Sequence, residues 1–151
     1  MRTLTRWILA AIMAVAVLTS PGTNRPAVAQ GSLPEVAQAL LEFENNVTWE
    51  SVSPAWRDKR DTWIATVRGS STPTVLANQL LALEQAMGWP SVEQAWRGRR
   101  EGWVAEVKSA RSPGVIARAL LELERNTLWS AVGERWKARR DPWIARLRAV
   151  G

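Results

Sequence analysis

The chain has 151 residues, among them ten tryptophans and no cysteine, histidine or tyrosine. The lack of Cys and His excludes disulfides, thiolate and imidazole metal sites, and every catalytic triad built on an imidazole. Its formal charge of +6 points at first to an anionic partner, but three of those cations, Arg2, Arg6 and Arg25, lie in an N-terminal segment that contains no acid.

That segment has the layout of a secretory signal peptide. Arg2 and Arg6 give a positive start, residues 7–18 are an uninterrupted apolar run of twelve, and Ala27-Val28-Ala29 has the small-x-small form of a cleavage site. Residues 1–29 are therefore expected to be removed before Gln30. An uncleaved anchor or an organelle transit peptide is the alternative, since no acid precedes Glu35. The run is too short to span a bilayer as a helix, and Pro21-Gly22 stops it. The expected location is exported, whether periplasmic, lumenal or extracellular. Without the presequence the net charge falls to +3, which weakens any case for nucleic acid based on overall charge.

Tryptophan sets the register of the rest, residues 30–151. Trp49, Trp89 and Trp129 are spaced by 40, as are Trp56, Trp96 and Trp136, and Trp63, Trp103 and Trp143. The reading is three tandem copies, at approximately 33–72, 73–112 and 113–151. The third aligns with the second without a gap, and the first differs by one residue near Pro34. Each copy opens on a hydroxyl ahead of a first-turn proline: Ser32-Leu33-Pro34, Thr72-Pro73 and Ser112-Pro113. Apolar residues then recur at helical spacing: Val36, Leu40, Phe43 and Val47; Leu76, Leu80, Leu83 and Met87; Ile116, Leu120 and Leu123, with Thr127 last. Asn45-Asn46, Gly88 and Asn126 mark the end of this first helix.

The second half of each copy is also helical. Val52, Trp56, Trp63 and Val67 share one helical face, as do Val92, Trp96, Trp103 and Val107. Heptad spacing places the three indoles of a copy on one stripe if the helix is continuous. Pro54 and Pro90 suit a helix start, whereas Pro142 after Asp141 points to a second start, so a kink or break is expected at Asp61, Glu101 and Asp141. The fold class is all-α: three tandem helical-hairpin repeats of about 40 residues, forming a short α-solenoid or a compact bundle. In an open array the last copy would leave its outer face uncapped. The copies also grade in charge from −2 through +1 to +4. Both features point to end-to-end self-association.

Comparing the copies separates two sets of residues. Trp56, Trp63, Trp96, Trp103, Trp136 and Trp143, with Leu40, Leu80 and Leu120, are expected to build the repeat core. Trp49, Trp89 and Trp129 lie where the two helices of a copy meet and are the indoles expected to be partly exposed, open to stacking on sugars, bases or cations. The basic clusters are Arg57, Lys59 and Arg60; Arg97, Arg99 and Arg100; and Lys137, Arg139 and Arg140. They read either as a solvated face with ion pairs inside each copy or as an anion-binding strip. Glu44, Glu84 and Glu124 on the first helices are the expected partners of Arg60, Arg100 and Arg140. Catalysis is not expected. Glu42 and Glu44 lie two apart on a helix and point different ways, as do Glu122 and Glu124, and no phosphate loop or nucleophile elbow occurs. No cofactor or metal is expected.

Leu80-Leu81-Ala82-Leu83-Glu84, Trp96 with Arg100 and Trp103, Pro113, and Ala119-Leu120-Leu121-Glu122-Leu123-Glu124 together resemble the WHIM-type helical motif of chromatin-remodelling subunits. The resemblance covers about 45 residues and implies a helical hairpin. In that family the helices are associated with nucleosome and linker-DNA contacts. The residues themselves point to an exported, non-catalytic interaction or scaffold protein that meets a protein partner or itself. The alternative is a binder of anionic polymers or membrane surfaces (acidic polysaccharide, phospholipid, and least of all nucleic acid) through the Trp and Arg/Lys residues.

Overall fold

Short polar residues ahead of proline set the helix starts. The structure is a computed structural model that describes residues 32–151; the expected signal peptide lies outside the described residues. Helix α1 spans Leu33–Asn46, α3 Pro73–Ala86 and α5 Pro113–Arg125. The Ser32 N–H donates to the Glu35 carboxylate at 3.3 Å, and Thr72 Oγ1 accepts from the Val75 N–H at 3.3 Å, which satisfies donors that have no partner within the helix. In all three, proline sits in the first turn, where its missing N–H is not needed.

Helices α1 and α3 end one residue before the stripe does, and α5 two residues before. Val47, Met87 and Thr127, expected to continue the apolar face, instead form isolated antiparallel bridges with Val132, Val52 and Val92. Each bridge joins a copy to its neighbour by two backbone bonds. Ser53 N–H donates to Ala86 O at 2.7 Å and Gly88 N–H to Ser51 O at 3.0 Å; Glu93 donates to Asn126 O at 2.7 Å and Leu128 to Ser91 O at 2.9 Å; Gly133 donates to Asn46 O at 2.7 Å and Thr48 to Ala131 O at 2.9 Å. Val52 and Val92 are thus in extended backbone, not on a helical face.

The second helices are α2, Trp56–Arg68; α4, Trp96–Ser109; and α6, Arg135–Val150. Each runs unbroken past Asp61, Glu101 or Asp141, which are exposed and cap nothing. The break expected there lies upstream, between a 3₁₀ turn (Trp49–Ser51, Trp89–Ser91, Trp129–Ala131) and the helix proper. The bridge explains the shift. Extended backbone at Val52, Val92 and Val132 cannot be helical, and the carbonyls of Ser53, Glu93 and Gly133 then accept from the N–H groups of Trp56, Trp96 and Trp136 in the first turn of each new helix at 2.8–2.9 Å. The three indoles of a copy therefore do not share one stripe. Pro142 stays inside α6 and removes the bond that would reach the Ala138 carbonyl.

Helices α1, α3 and α5 touch one another at the centre. Helix α2 packs against α1 and α3, α4 against α3 and α5, and α6 against α5 and α1. The array therefore closes into a ring with pseudo-threefold symmetry, and the last copy's outer face, expected to be uncapped, is covered by the first. One indole marks each seam: Trp63 Nε1 donates to Gln79 O, Trp103 Nε1 to Ala119 O and Trp143 Nε1 to Ala39 O, each at 2.9 Å. The third of these bonds joins residues 104 apart in sequence yet reproduces the other two. Arg146 of α6 also pairs with Glu42 of α1. Leu40, Leu80 and Leu120 are fully buried at the centre. Around them Trp56–Trp63, Trp96–Trp103 and Trp136–Trp143 pack edge to face at 5.3, 5.2 and 5.0 Å between ring centroids, the arrangement favoured by the ring quadrupoles. Among the described residues no helix is long and apolar enough to cross a membrane.

Candidate functional site

In each copy a chain of polar contacts runs from the core to the surface. It starts at a buried carboxylate on the first helix, Glu44, Glu84 or Glu124. Glu44 Oε1 accepts from Trp56 Nε1 at 3.1 Å and from Arg60 Nε at 2.6 Å, and Oε2 accepts from Arg60 Nη2 at 2.9 Å. Glu84 holds Trp96 at 3.3 Å and Arg100 at 2.6 and 2.7 Å; Glu124 holds Trp136 at 3.0 Å and Arg140 at 2.6 and 3.0 Å. The fork of the guanidinium matches both carboxylate oxygens, the strong geometry for such pairs. Hydrogen bonding to the carboxylate raises the Arg60 and Arg100 guanidiniums above their ordinary range, against the opposing effect of burial.

The same arginines then meet the remaining tryptophans. The Arg60 guanidinium lies 5.7 Å from the Trp49 ring centroid and Arg57 5.3 Å; Arg100 and Arg97 lie 5.9 and 5.1 Å from Trp89; Arg140 and Lys137 lie 5.7 and 5.8 Å from Trp129. Both cations of a copy come from one turn of the same helix. Trp49, Trp89 and Trp129 stay 45, 47 and 53% exposed, while the other six indoles of the repeat are buried. Beside each exposed ring is a hollow of about 130–250 Å³, lined in every copy by the Glu–Arg pair, the indole and the bridge valine (Val52, Val92 or Val132).

The basic clusters do not form one strip. Arg57, Arg60, Arg97, Arg100, Lys137 and Arg140 gather on the indoles. Arg99 turns to the seam and pairs with Glu122 of the next copy at 2.5 Å. Lys59 and Arg139 are exposed, with no carboxylate in ion-pair reach among the described residues. Trp56, Trp63, Trp96, Trp103, Trp136 and Trp143 all lie in the core. The sequence reading passed over Arg118, Arg125 and Arg148, which line a groove with Arg99 and Arg140. The available signal was the change from Gln38 and Asn78 to Arg118, and from Asn45 and Gln85 to Arg125, between otherwise similar copies.

The half-exposed rings, the cations behind them and the adjoining hollows offer a flat apolar face next to hydrogen-bond donors. Among the described residues no group of three or more Asp and Glu side chains is placed to hold a metal ion.

A family model described as a domain of unknown function, DUF8799, matches the chain twice, over residues 35–88 and 74–127. Neither the curated proteins nor the solved structures gave a match. Each family match begins in the first helix of one copy and ends just past the first helix of the next, so each takes in one bridge between copies. Together the two matches span residues 35–127, more than half of the chain, and the protein belongs to the DUF8799 family.

Proposed function

We propose that this protein is a non-catalytic binding module, working outside the cytoplasm, that meets an acidic polysaccharide through its three indole–cation faces. The observation that carries this reading is that Trp49, Trp89 and Trp129 are half exposed in equivalent positions and each is backed by two cations. Single exposed apolar residues need no explanation. A tryptophan held at the same exposed place in all three copies does, because the buried core of the ring does not require it there. A sugar ring presents C–H groups that lie flat on an indole, and a uronate carboxylate fits the guanidinium fork. Three such faces related by a rotation, on a scaffold closed into a ring, add their weak contacts through effective concentration when the ligand is a polymer.

The test is binding of the protein to polygalacturonate and to a neutral glucan, followed by intrinsic tryptophan fluorescence over a salt series. The expected result is binding of the acidic polymer only, weakening with salt, and lost when Trp49, Trp89 and Trp129 are changed together to Ala. Equal binding by that triple variant would overturn the reading. So would a salt-insensitive protein partner captured from the envelope fraction in the absence of any polysaccharide response; that outcome would favour the scaffold role instead.

A further inference from the structure

The seam between the second and third copies carries a feature that the other two seams lack. A groove of about 470 Å³ runs between α5 and α6 beside α4, and five arginines reach it: Arg99, Arg118, Arg125, Arg140 and Arg148. Its two carboxylates are already engaged, Glu122 by Arg99 at 2.5 Å and Glu124 by Arg140 at 2.6 Å. Arg118, Arg125 and Arg148 have no carboxylate in ion-pair reach among the described residues. Leu121 and Ile144 supply an apolar lining. Charges of one sign in a cleft with low-dielectric walls concentrate a field that attracts the opposite ion.

The fold does not need these cations. The positions of Arg118 and Arg125 hold Gln38 and Asn45 in the first copy and Asn78 and Gln85 in the second, and those copies build the same hairpin. Two of the third copy's excess positive charges are therefore placed in this groove. Arg118 and Arg125 lie seven residues apart on α5, two turns along one face, or roughly 10 Å at the helical rise. The second helix packs alongside, and its Arg140 and Arg148 line the same groove.

We propose that this groove binds a short linear chain of phosphates. A single carboxylate neutralises one guanidinium and cannot bridge two turns of helix. A di- or triphosphate is long enough, carries several charges and offers acceptor oxygens to guanidiniums on both walls. The proposal does not depend on the indole faces binding anything.

Calorimetry with inorganic tripolyphosphate at low salt tests it. The expected result is one site per chain, with orthophosphate much weaker. A nucleoside triphosphate run in parallel separates the two sources of the chemistry: equal affinity means that the phosphate chain alone is held, and tighter binding means that the nucleoside is held as well. Arg118→Asn with Arg125→Gln, which installs the side chains of the second copy, should weaken tripolyphosphate by about tenfold or more while far-UV circular dichroism stays unchanged. The reverse exchange, Asn78→Arg with Gln85→Arg, should raise the stoichiometry from one site to two. No heat with the unmodified protein overturns the proposal. So does an unaffected Arg118/Arg125 double variant, or an equal loss in Arg97→Ala, which lies outside the groove.

Discussion

Glu84 is buried among apolar side chains and has three donors directed at it, two from Arg100 and one from Trp96. Removing such a carboxylate leaves a guanidinium and an indole N–H without a partner, and breaking a buried pair in this way costs about 3–5 kcal/mol. Glu84→Ala should lower unfolding stability by that amount in urea titrations. Arg99→Ala, which breaks the exposed pair with Glu122, should change it by less than about 1 kcal/mol. The pH response follows from the raised Arg60 and Arg100 guanidiniums. A folded value above the unfolded one gives stability that is fully present below the unfolded value and is lost only as pH rises through the folded one. These pairs should therefore hold unfolding temperature constant from about pH 7 to about pH 10, whereas Arg100→Lys, with an ordinary value near 10.4, should introduce an alkaline loss at about that pH. At this scale much could be read from the chain. The pairing of Glu44, Glu84 and Glu124 with Arg60, Arg100 and Arg140 follows from residues kept in every copy. The indole bond to the same carboxylate does not, because Trp56 and Glu44 are brought together only by the angle between helices.

At the scale of elements, periodicity located all six helices, and capping residues fixed the starts of α1, α3 and α5. The start of the second helices was legible only in part: Pro54 stands two residues ahead of α2, whereas Pro90 lies in the 3₁₀ turn Trp89–Ser91, ahead of the α4 start at Trp96. Ser-Val-Ser-Pro, Ser-Val-Glu-Gln and Ala-Val-Gly-Glu carry no shared cap, and the helix begins where a backbone bridge to another copy ends. A bond between backbones leaves no side-chain signature. Pro142 was misleading for a related reason. It marks a helix boundary on local rules, but packing of α6 against α5 and α1 keeps the helix intact around it. An interior proline costs about 3 kcal/mol relative to ordinary residues. Pro142→Thr, which installs the residue found at position 62, should therefore raise stability by about 1–3 kcal/mol, measured by urea unfolding.

For the whole molecule, closure was hidden because a repeat pattern is the same in an open array and in a ring. What decides between them is whether the last copy can meet the first, as Trp143 and Arg146 do at Ala39 and Glu42. Every copy then touches both others, and unfolding should be a single transition, without the copy-by-copy melting of an open array. The connections between copies, residues 69–72 and 110–112, show how short a link is needed between α6 and α1. A permuted chain that starts at Pro73 and joins residue 150 to residue 33 through a similarly short link should fold with unchanged tryptophan fluorescence. Deleting residues 113–151 should unfold the remaining copies, seen as loss of the circular dichroism signal. A ring also fixes its own number. An open array grows or shrinks when recombination adds or drops a unit, because each end accepts another. Here the third copy already occupies the surface that a fourth would need, so duplication of one unit within the gene would yield a segment with nowhere to dock. Change in this protein is thereby confined to substitution within its three units, which is where Arg118 and Arg125 depart from the amides of the other two.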